Sequence, residues 1–361
     1  MLVAMHLKNL LNLTGDHLFT LPLVVLYLTD GCNSRCVTCD IWRKPRLNMS
    51  LEMVEEIVRA VPDLGIRQVL LSGGEAMQHP QWPLVARRFR EGGVRVMLLT
   101  NGLLVLKQAR DVIDHVDELI VSLDGSTRQT YDSIRGVDAF DLVLAGIGAV
   151  REGGVAVTTR TTVQRANYRE LPQIIEIARS VDVNTISFLA VDVSSVEAFG
   201  PRFERDPEVS MIASPGPGAP PEHGLPALAL TPDEIDELAV ILDEIEIRFA
   251  ADFESGRIAE SPAKLRRILL RYFHVLVNGG EFERPPCNAP HFSAVIEATG
   301  LLRPCYFLPG FGRLKSGTPL LETLNAPAAQ ALRHAYRHGD RRECAGCVCP
   351  LYKGVRSLVQ L

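Results

Sequence analysis

The chain has 361 residues, 47% of them apolar, with 43 acidic against 38 basic side chains and a net charge of −5. This is enough for one large domain and a smaller one, each with a core, and the charge gives no global field drawing the chain to nucleic acid or an anionic membrane. No apolar run reaches the ~20 residues of a membrane helix. The first 20 residues lack the basic, apolar and small-residue order of a secretion signal and read as a short amphipathic helix.

Strand-like apolar runs and amphipathic helices alternate from residue 21 to about 190. The runs at 21–28, 68–71, 94–99, 118–123, 155–163 and 185–190 are predicted strands, and 50–60, 81–92, 105–115, 140–152 and 168–181 are predicted helices. Repeated strand–helix units imply an α/β fold with a parallel sheet and right-handed crossovers. Six units are too few for a closed eight-fold barrel.

Three cysteines, Cys32, Cys36 and Cys39, follow the first strand with x3 and x2 gaps. Thiolates are soft ligands suited to zinc or iron–sulfur clusters. Three of them can hold three irons of a [4Fe–4S] cube and leave the fourth open to a cofactor. The alternative is a zinc loop, which needs a fourth ligand, and Asp40 is the candidate. Polar groups then follow the next strands: Ser72-Gly73-Gly74-Glu75, Thr100-Asn101-Gly102 and Ser122-Leu123-Asp124-Gly125. In a barrel all of them project to one rim. Taken singly, the Gly-Gly and Asn-Gly pairs are ordinary turns, and Asp124 is the N-cap of a helix starting near Ser126.

Residues 191–229 hold seven prolines and no apolar period, which predicts an irregular excursion over 196–230. Two helices, 232–249 and 262–277, bridge to the C-terminal part; the first opens on Thr231-Pro232-Asp233-Glu234. Five more cysteines follow: Cys287, Cys305, Cys344, Cys347 and Cys349. Residues 293–297 and 301–302 read as a hairpin turning at Thr299-Gly300, which brings Cys287 and Cys305 together. By spacing alone a four-cysteine zinc site and a [4Fe–4S] cluster fit this group equally. Eight cysteines in two groups point to a reducing, cytoplasmic setting and metal ligation, not disulfides.

The C-x3-C-x2-C loop with the Gly73-Gly74-Glu75 turn resembles the signatures of radical S-adenosylmethionine (SAM) enzymes. Thr38 stands where that family often has an aromatic residue, with Trp42 nearby to take over the packing, and Ala76 stands where proline is common. The resemblance implies a partial (β/α)6 TIM-like barrel over 21–195, with a [4Fe–4S] cluster on Cys32, Cys36 and Cys39 and SAM chelating its open iron. It further implies that Gly73, Gly74 and Glu75 receive the SAM ammonium, and that Asn101 belongs to the same rim. Ser122 and Asp124 would meet the ribose, Arg135 or Arg160 the carboxylate, and Leu189 the adenine. The segment 285–361 is similar to the SPASM or twitch auxiliary-cluster regions of that family. This implies a small C-terminal α+β domain with one auxiliary [4Fe–4S] cluster and Cys349 as an alternate ligand or spare thiol. The expected activity is hydrogen abstraction from a small molecule or peptide, with flavodoxin or ferredoxin as reductant. Tyr306, His291 and Cys349 are candidate proton or hydrogen donors. A non-catalytic electron carrier is the competing reading, and it needs neither the barrel nor the rim motifs.

Overall fold

The computed structural model describes the chain except residues 1, 40, 44, 194–227, 316 and 355–361. Asp40 and nearly all of the proline-rich stretch expected over 196–230 lie outside the described residues.

Six parallel strands follow one another across the sheet in chain order: β1 (Leu23–Thr29), β2 (Gln68–Gly73), β3 (Arg95–Thr100), β4 (Glu118–Ser122), β5 (Ala156–Val163) and β6 (Thr185–Ala190). The helices up to β6 are α1 (Leu2–Leu11), α2 (Leu51–Arg59), α3 (Val61–Leu64), α4 (Trp82–Glu91), α5 (Ala109–His115), α6 (Arg128–Arg135), α7 (Phe140–Glu152) and α8 (Leu171–Ser180). Strand alternation sets the layers. Val24, Leu26, Val69, Leu71, Val96, Leu98, Leu119 and Val121 are fully buried in one core with Ile57, Val85, Val112, Ile147 and Ile174 from the helices. The alternate positions, among them Val25, Leu70, Leu99, Ser122, Arg160 and Leu189, are only half-buried and form the concave inner face.

Local chemistry moves some boundaries. The strand predicted from residue 21 begins at Leu23, because Pro22 has no N–H to pair and the Leu21 N–H turns to Leu64 O instead. Helix α2 starts where Ser50 accepts from Met53 N at 3.2 Å. Helix α6 is capped by Thr127, whose side chain accepts from Thr130 N, so Asp124 is not its cap. Beyond the excursion, α9 (Pro232–Arg248) opens on a full capping box between Thr231 and Glu234. It is followed by α10 (Ala250–Glu254), α11 (Pro262–Leu265), a π-helical turn at Arg266–Arg271 and α12 (Tyr272–Asn278). The free edge of β6 is covered by this region: Ile186 N donates to Arg257 O, Ala259 N to Ile186 O, and Phe188 N to the buried Glu260 carboxylate.

The C-terminal hairpin is β7 (Ser293–Ile296) and β8 (Leu301–Arg303), continued by β9 (Gly312–Arg313). It does not form a sheet of its own. Strand β7 pairs parallel to β1, so one open nine-stranded sheet runs β6-β5-β4-β3-β2-β1-β7-β8-β9. Two further helices, α13 (Leu320–Leu324) and α14 (Pro327–His338), close the described fold. Leu23, at the start of β1, packs with Ala289 and Phe292, and Cys287 and Cys305 pack against the same cluster. The first cysteine loop leaves the other end of β1, a strand span of roughly 20 Å away.

Arg333 of α14 anchors this arrangement. It is 1% exposed and donates to the carbonyls of Asp16 and Leu324 at 2.5 and 2.6 Å, and to Asn325 Oδ1 at 3.3 Å. Arg333→Ala takes the donor from the Asp16 and Leu324 carbonyls, while Asn325 Oδ1 keeps its bond from Leu18 N at 2.8 Å, and a loss of about 3 kcal/mol is expected in urea unfolding; a loss under about 0.5 kcal/mol contradicts the anchor.

Candidate functional site

The cysteine loop is fixed from two sides. From β2, Gly74 N donates to Thr29 O and Glu75 N to Gly31 O, both at 2.8 Å. From α6, the carbonyls of Arg135 and Ile134 accept from Arg35 N and Val37 N, both at 3.0 Å. Glycine is required on each side. A Cβ on Gly74 would lie 2.4 Å from Gly31 O, and one on Gly136 would lie 2.4 Å from Arg35 O. Gly136 also sits at φ 68°, in the left-handed region where it ends α6.

Glu75 is 0% exposed and does not line the cavity beside the cysteines. Its carboxylate accepts from Asn101 N at 2.7 Å, Thr100 Oγ1 at 2.9 Å and Met77 N at 3.1 Å. Burial pushes its carboxyl up, and the three donors oppose that shift. It ties the end of β3 to the end of β2. Asn101, held in this way, turns Nδ2 to Asn33 Oδ1 at 2.8 Å and towards Cys32 Sγ at 3.8 Å.

A cavity of about 140 Å³ lies among these loops. Cys32, Cys36, Cys39, Gly73, Gly74, Asn101, Ser122 and Arg135 all line it, so the structure brings most of the predicted rim together. Trp42 and Thr38 are also on its wall. Four predicted residues are not: Glu75, Asp124, Arg160 and Leu189. Asp124 is 2% exposed and engaged, with Oδ2 accepting from Arg135 Nη1 at 3.0 Å and Oδ1 from Thr162 N at 2.7 Å. Burial pushes the Asp124 carboxyl up, against the pull of Arg135. For Arg135, burial lowers the pKa and its acidic neighbours raise it by more, so the guanidinium stays charged and forms an ion pair with Asp124. Arg160 and Leu189 sit on the inner faces of β5 and β6. Sequence reading missed Asn33 and Ser34. Their signal was position alone, inside the cysteine loop.

The cavity wall carries polar atoms that lack partners. Ser34 Oγ, Trp42 Nε1 and Arg135 Nε are buried with no hydrogen-bond partner. Such groups are scarce in folded proteins, and together they fit a polar, partly anionic ligand. The thiols fit a metal centre. Burial pushes Cys32 up to about 11 and Cys36 up as well, so both stay protonated until a metal compensates. Ser34 N already donates to Cys32 Sγ at 3.5 Å.

The second group converges too. Cys305 lies close enough to Cys287 and Cys344 for each to raise its pKa, and Cys347 is affected in the same way by Cys287, Cys305 and Cys349. Burial, the largest cause, pushes Cys305 to about 12 and Cys344 to about 11. Backbone N–H groups at Phe307 and Leu308 point at Cys305, and the one at Cys349 points at Cys347. Cys349 is exposed, and the other four are half-buried. Among the described residues no three His, Cys, Asp or Glu side chains converge closely enough to hold one metal ion. His291 is buried with Nδ1 unpartnered, and burial pushes its pKa down to about 4. The Tyr306 ring packs on Phe307.

Two glycines give a contrast. Gly74→Ala pushes backbone against backbone, whereas a Cβ on Gly148 of α7 meets nothing within 4 Å. Gly74→Ala is expected to weaken binding of SAM, the ligand that the sequence resemblance implies for this rim, about tenfold or more, about 1.4 kcal/mol, and to lower iron uptake on reconstitution. Gly148→Ala should leave both unchanged and raise stability by about 0.5–1 kcal/mol. Equal behaviour of the two variants in dialysis and iron assays contradicts the packing argument.

Residues 26–178 match the model of the radical SAM superfamily. The chain is similar to an AdoMet-dependent heme synthase of Methanosarcina barkeri, 32% identical over 165 residues, covering 44% of this chain and 47% of that protein. It is also similar to a probable GTP 3′,8-cyclase of Saccharolobus islandicus, 32% identical over 167 residues, covering 45% and 54%. It thus spans about half the length of these curated relatives. In fold it is similar to anSMEcpe, solved with bound AdoMet and a peptide, with TM-score 0.61 and 15% identity, covering 91% of this chain and 89% of that one. Among the described residues no helix is long and apolar enough to cross a membrane. This chain carries a domain of the radical SAM superfamily over residues 26–178.

Proposed function

We propose that the protein is a radical SAM enzyme that abstracts hydrogen from a small-molecule or peptide substrate, aided by one auxiliary [4Fe–4S] cluster. The observation that carries this reading is the set of unpartnered polar groups on the wall that also presents three thiols: Ser34 Oγ, Trp42 Nε1 and Arg135 Nε beside Cys32, Cys36 and Cys39. The three thiolates would hold a [4Fe–4S] cluster, with SAM beside it. Together these supply a one-electron reductive cleavage whose 5′-deoxyadenosyl radical takes a hydrogen atom from carbon.

The chain's own residues bind and orient. Arg135, kept cationic by Asp124 and Cys36, meets the SAM carboxylate through its free Nε. Ser122 hydrogen-bonds on the same side, and Trp42 offers the aromatic face that Thr38 does not. Asn101 holds the loop at Cys32. The wall excludes bulk water from the reacting carbon. Cys287, Cys305, Cys344 and Cys347 would hold the auxiliary cluster, with Cys349 exposed beside Cys347. Backbone N–H groups aimed at Cys305 and Cys347 suit cluster sulfurs. A small protein reductant such as flavodoxin or ferredoxin supplies the electron, in a cytoplasm where thiols stay reduced. The relatives' names include small-molecule chemistry, and a fold neighbour holds a peptide, so both substrate classes stay in the proposal.

Anaerobic reconstitution followed by SAM and dithionite should yield 5′-deoxyadenosine; absence of both product and SAM binding overturns the reading. The Cys32/Cys36/Cys39→Ala triple variant should retain about four irons per chain. One zinc and no iron in that variant makes the second site structural zinc.

A further inference from the structure

Arg160 is the unexplained charge of the inner face. In the parallel register it stands opposite Ser122 on one side and Ser187 on the other. Residues in register share a face, so Arg160 projects to the side on which Ser122 meets the cavity, one strand further from the cysteines. It is half-buried, and its Nε is buried without a hydrogen-bond partner. No ion pair engages its side chain among the described residues, and the carboxylates around it are committed elsewhere. Asp124 is taken by Arg135 and Thr162 N. Glu260 is taken by Ser187 Oγ, Phe188 N and Lys264. Glu118 is taken by Arg95 and Thr158. A guanidinium with no counter-charge beside it is free to pair with an anionic ligand.

A second group points the same way. Gln164 is 0% exposed, and neither amide atom has a partner. It follows β5 and continues the alternation of Arg160 and Thr162. Arg160 is the one cation among the inward positions of β4, β5 and β6, and its neighbours there include the apolar Ile120 and Leu189. One guanidinium plus one neutral amide matches a monoanion better than a phosphate chain.

We propose that Arg160 and Gln164 form a substrate subsite for a carboxylate carried on a largely apolar body, distinct from the Arg135 end that takes SAM. The subsite rests on the SAM reading above and narrows its substrate class to carboxylates.

The test uses the reconstituted full chain, saturated with SAM so that the Arg135 end is filled. Hexanoate and its neutral isostere hexanamide are the probes, measured by equilibrium dialysis on wild type and Arg160→Met. Wild type should bind hexanoate at least about tenfold more tightly than hexanamide, and Arg160→Met should lose that preference. The Kd for SAM should be unchanged. The unliganded variant should melt at or above the wild-type temperature, because an unpaired charge has been removed. Three results overturn the proposal. A lower melting temperature makes Arg160 structural, a weakened SAM complex assigns it to SAM, and equal binding of hexanoate and hexanamide by wild type removes the subsite. Failure of wild type to bind SAM at all would instead strike the underlying enzyme reading.

Discussion

Two peptide groups of β2 approach the cysteine loop so closely that no side chain fits between them. Gly74 and Glu75 donate to Thr29 and Gly31 across a gap that a Cβ on Gly74 would close to 2.4 Å. Three thiols on a short loop have little geometry of their own. Their placement is borrowed from the sheet through these bonds and, on the far side, from the carbonyls that end α6. The Glu75 carboxylate extends the same support to β3 by gathering the N–H and hydroxyl donors of Thr100 and Asn101. A buried carboxylate satisfied by three donors is rigid, and its removal would strand all three. The rim is therefore one connected unit: the β1 loop, the β2 turn, the β3 end and the α6 terminus.

Charge is distributed across that unit with economy. Arg135 faces both the cysteine loop and Asp124, and Asp124 is bonded in turn to the backbone of β5. A guanidinium pinned in this way is pre-oriented for a carboxylate and loses little freedom on binding one. Arg160, one strand beyond Ser122, has no such counter-charge among the described residues. The two arginines differ in neighbours, not in kind. One is held by the machinery of the cysteine loop, and the other stands on the inner face of the sheet. The second cysteine group lies at the opposite end of β1, packed on Leu23, so a single strand links the two thiol sites.

Much of this was legible in the residues. Apolar runs marked all six strands, because each is buried on its helix-covered face, and Ser50 and Thr231 marked helix starts by their capping chemistry. The rim motifs fell after strand ends, and eight of the predicted residues do meet at one cavity. What was not legible is partnership over distance. Nothing local says that β7 pairs with β1, some 270 residues earlier in the chain. Nothing local says that Glu75 turns inward to Asn101 and not outward to a ligand, or that Asp124 is consumed by Arg135. A carboxylate in a strand-end motif looks the same in sequence whether it is exposed or buried, and only the packing decides. The same holds for Arg160 and Arg135, which sequence offered as equals for one role.

The central claim is that the Cys32, Cys36 and Cys39 site holds a four-iron cluster with one iron open to SAM. Mössbauer spectroscopy of ⁵⁷Fe-reconstituted protein tests it most directly, using a variant in which Cys287, Cys305, Cys344 and Cys347 are alanine. The account predicts that SAM shifts the signal of about one iron in four, to the parameters of an iron with nitrogen and oxygen ligands, and leaves the other irons unchanged. A spectrum in which every iron is already sulfur-ligated and indifferent to SAM, or in which the variant holds no iron, contradicts it.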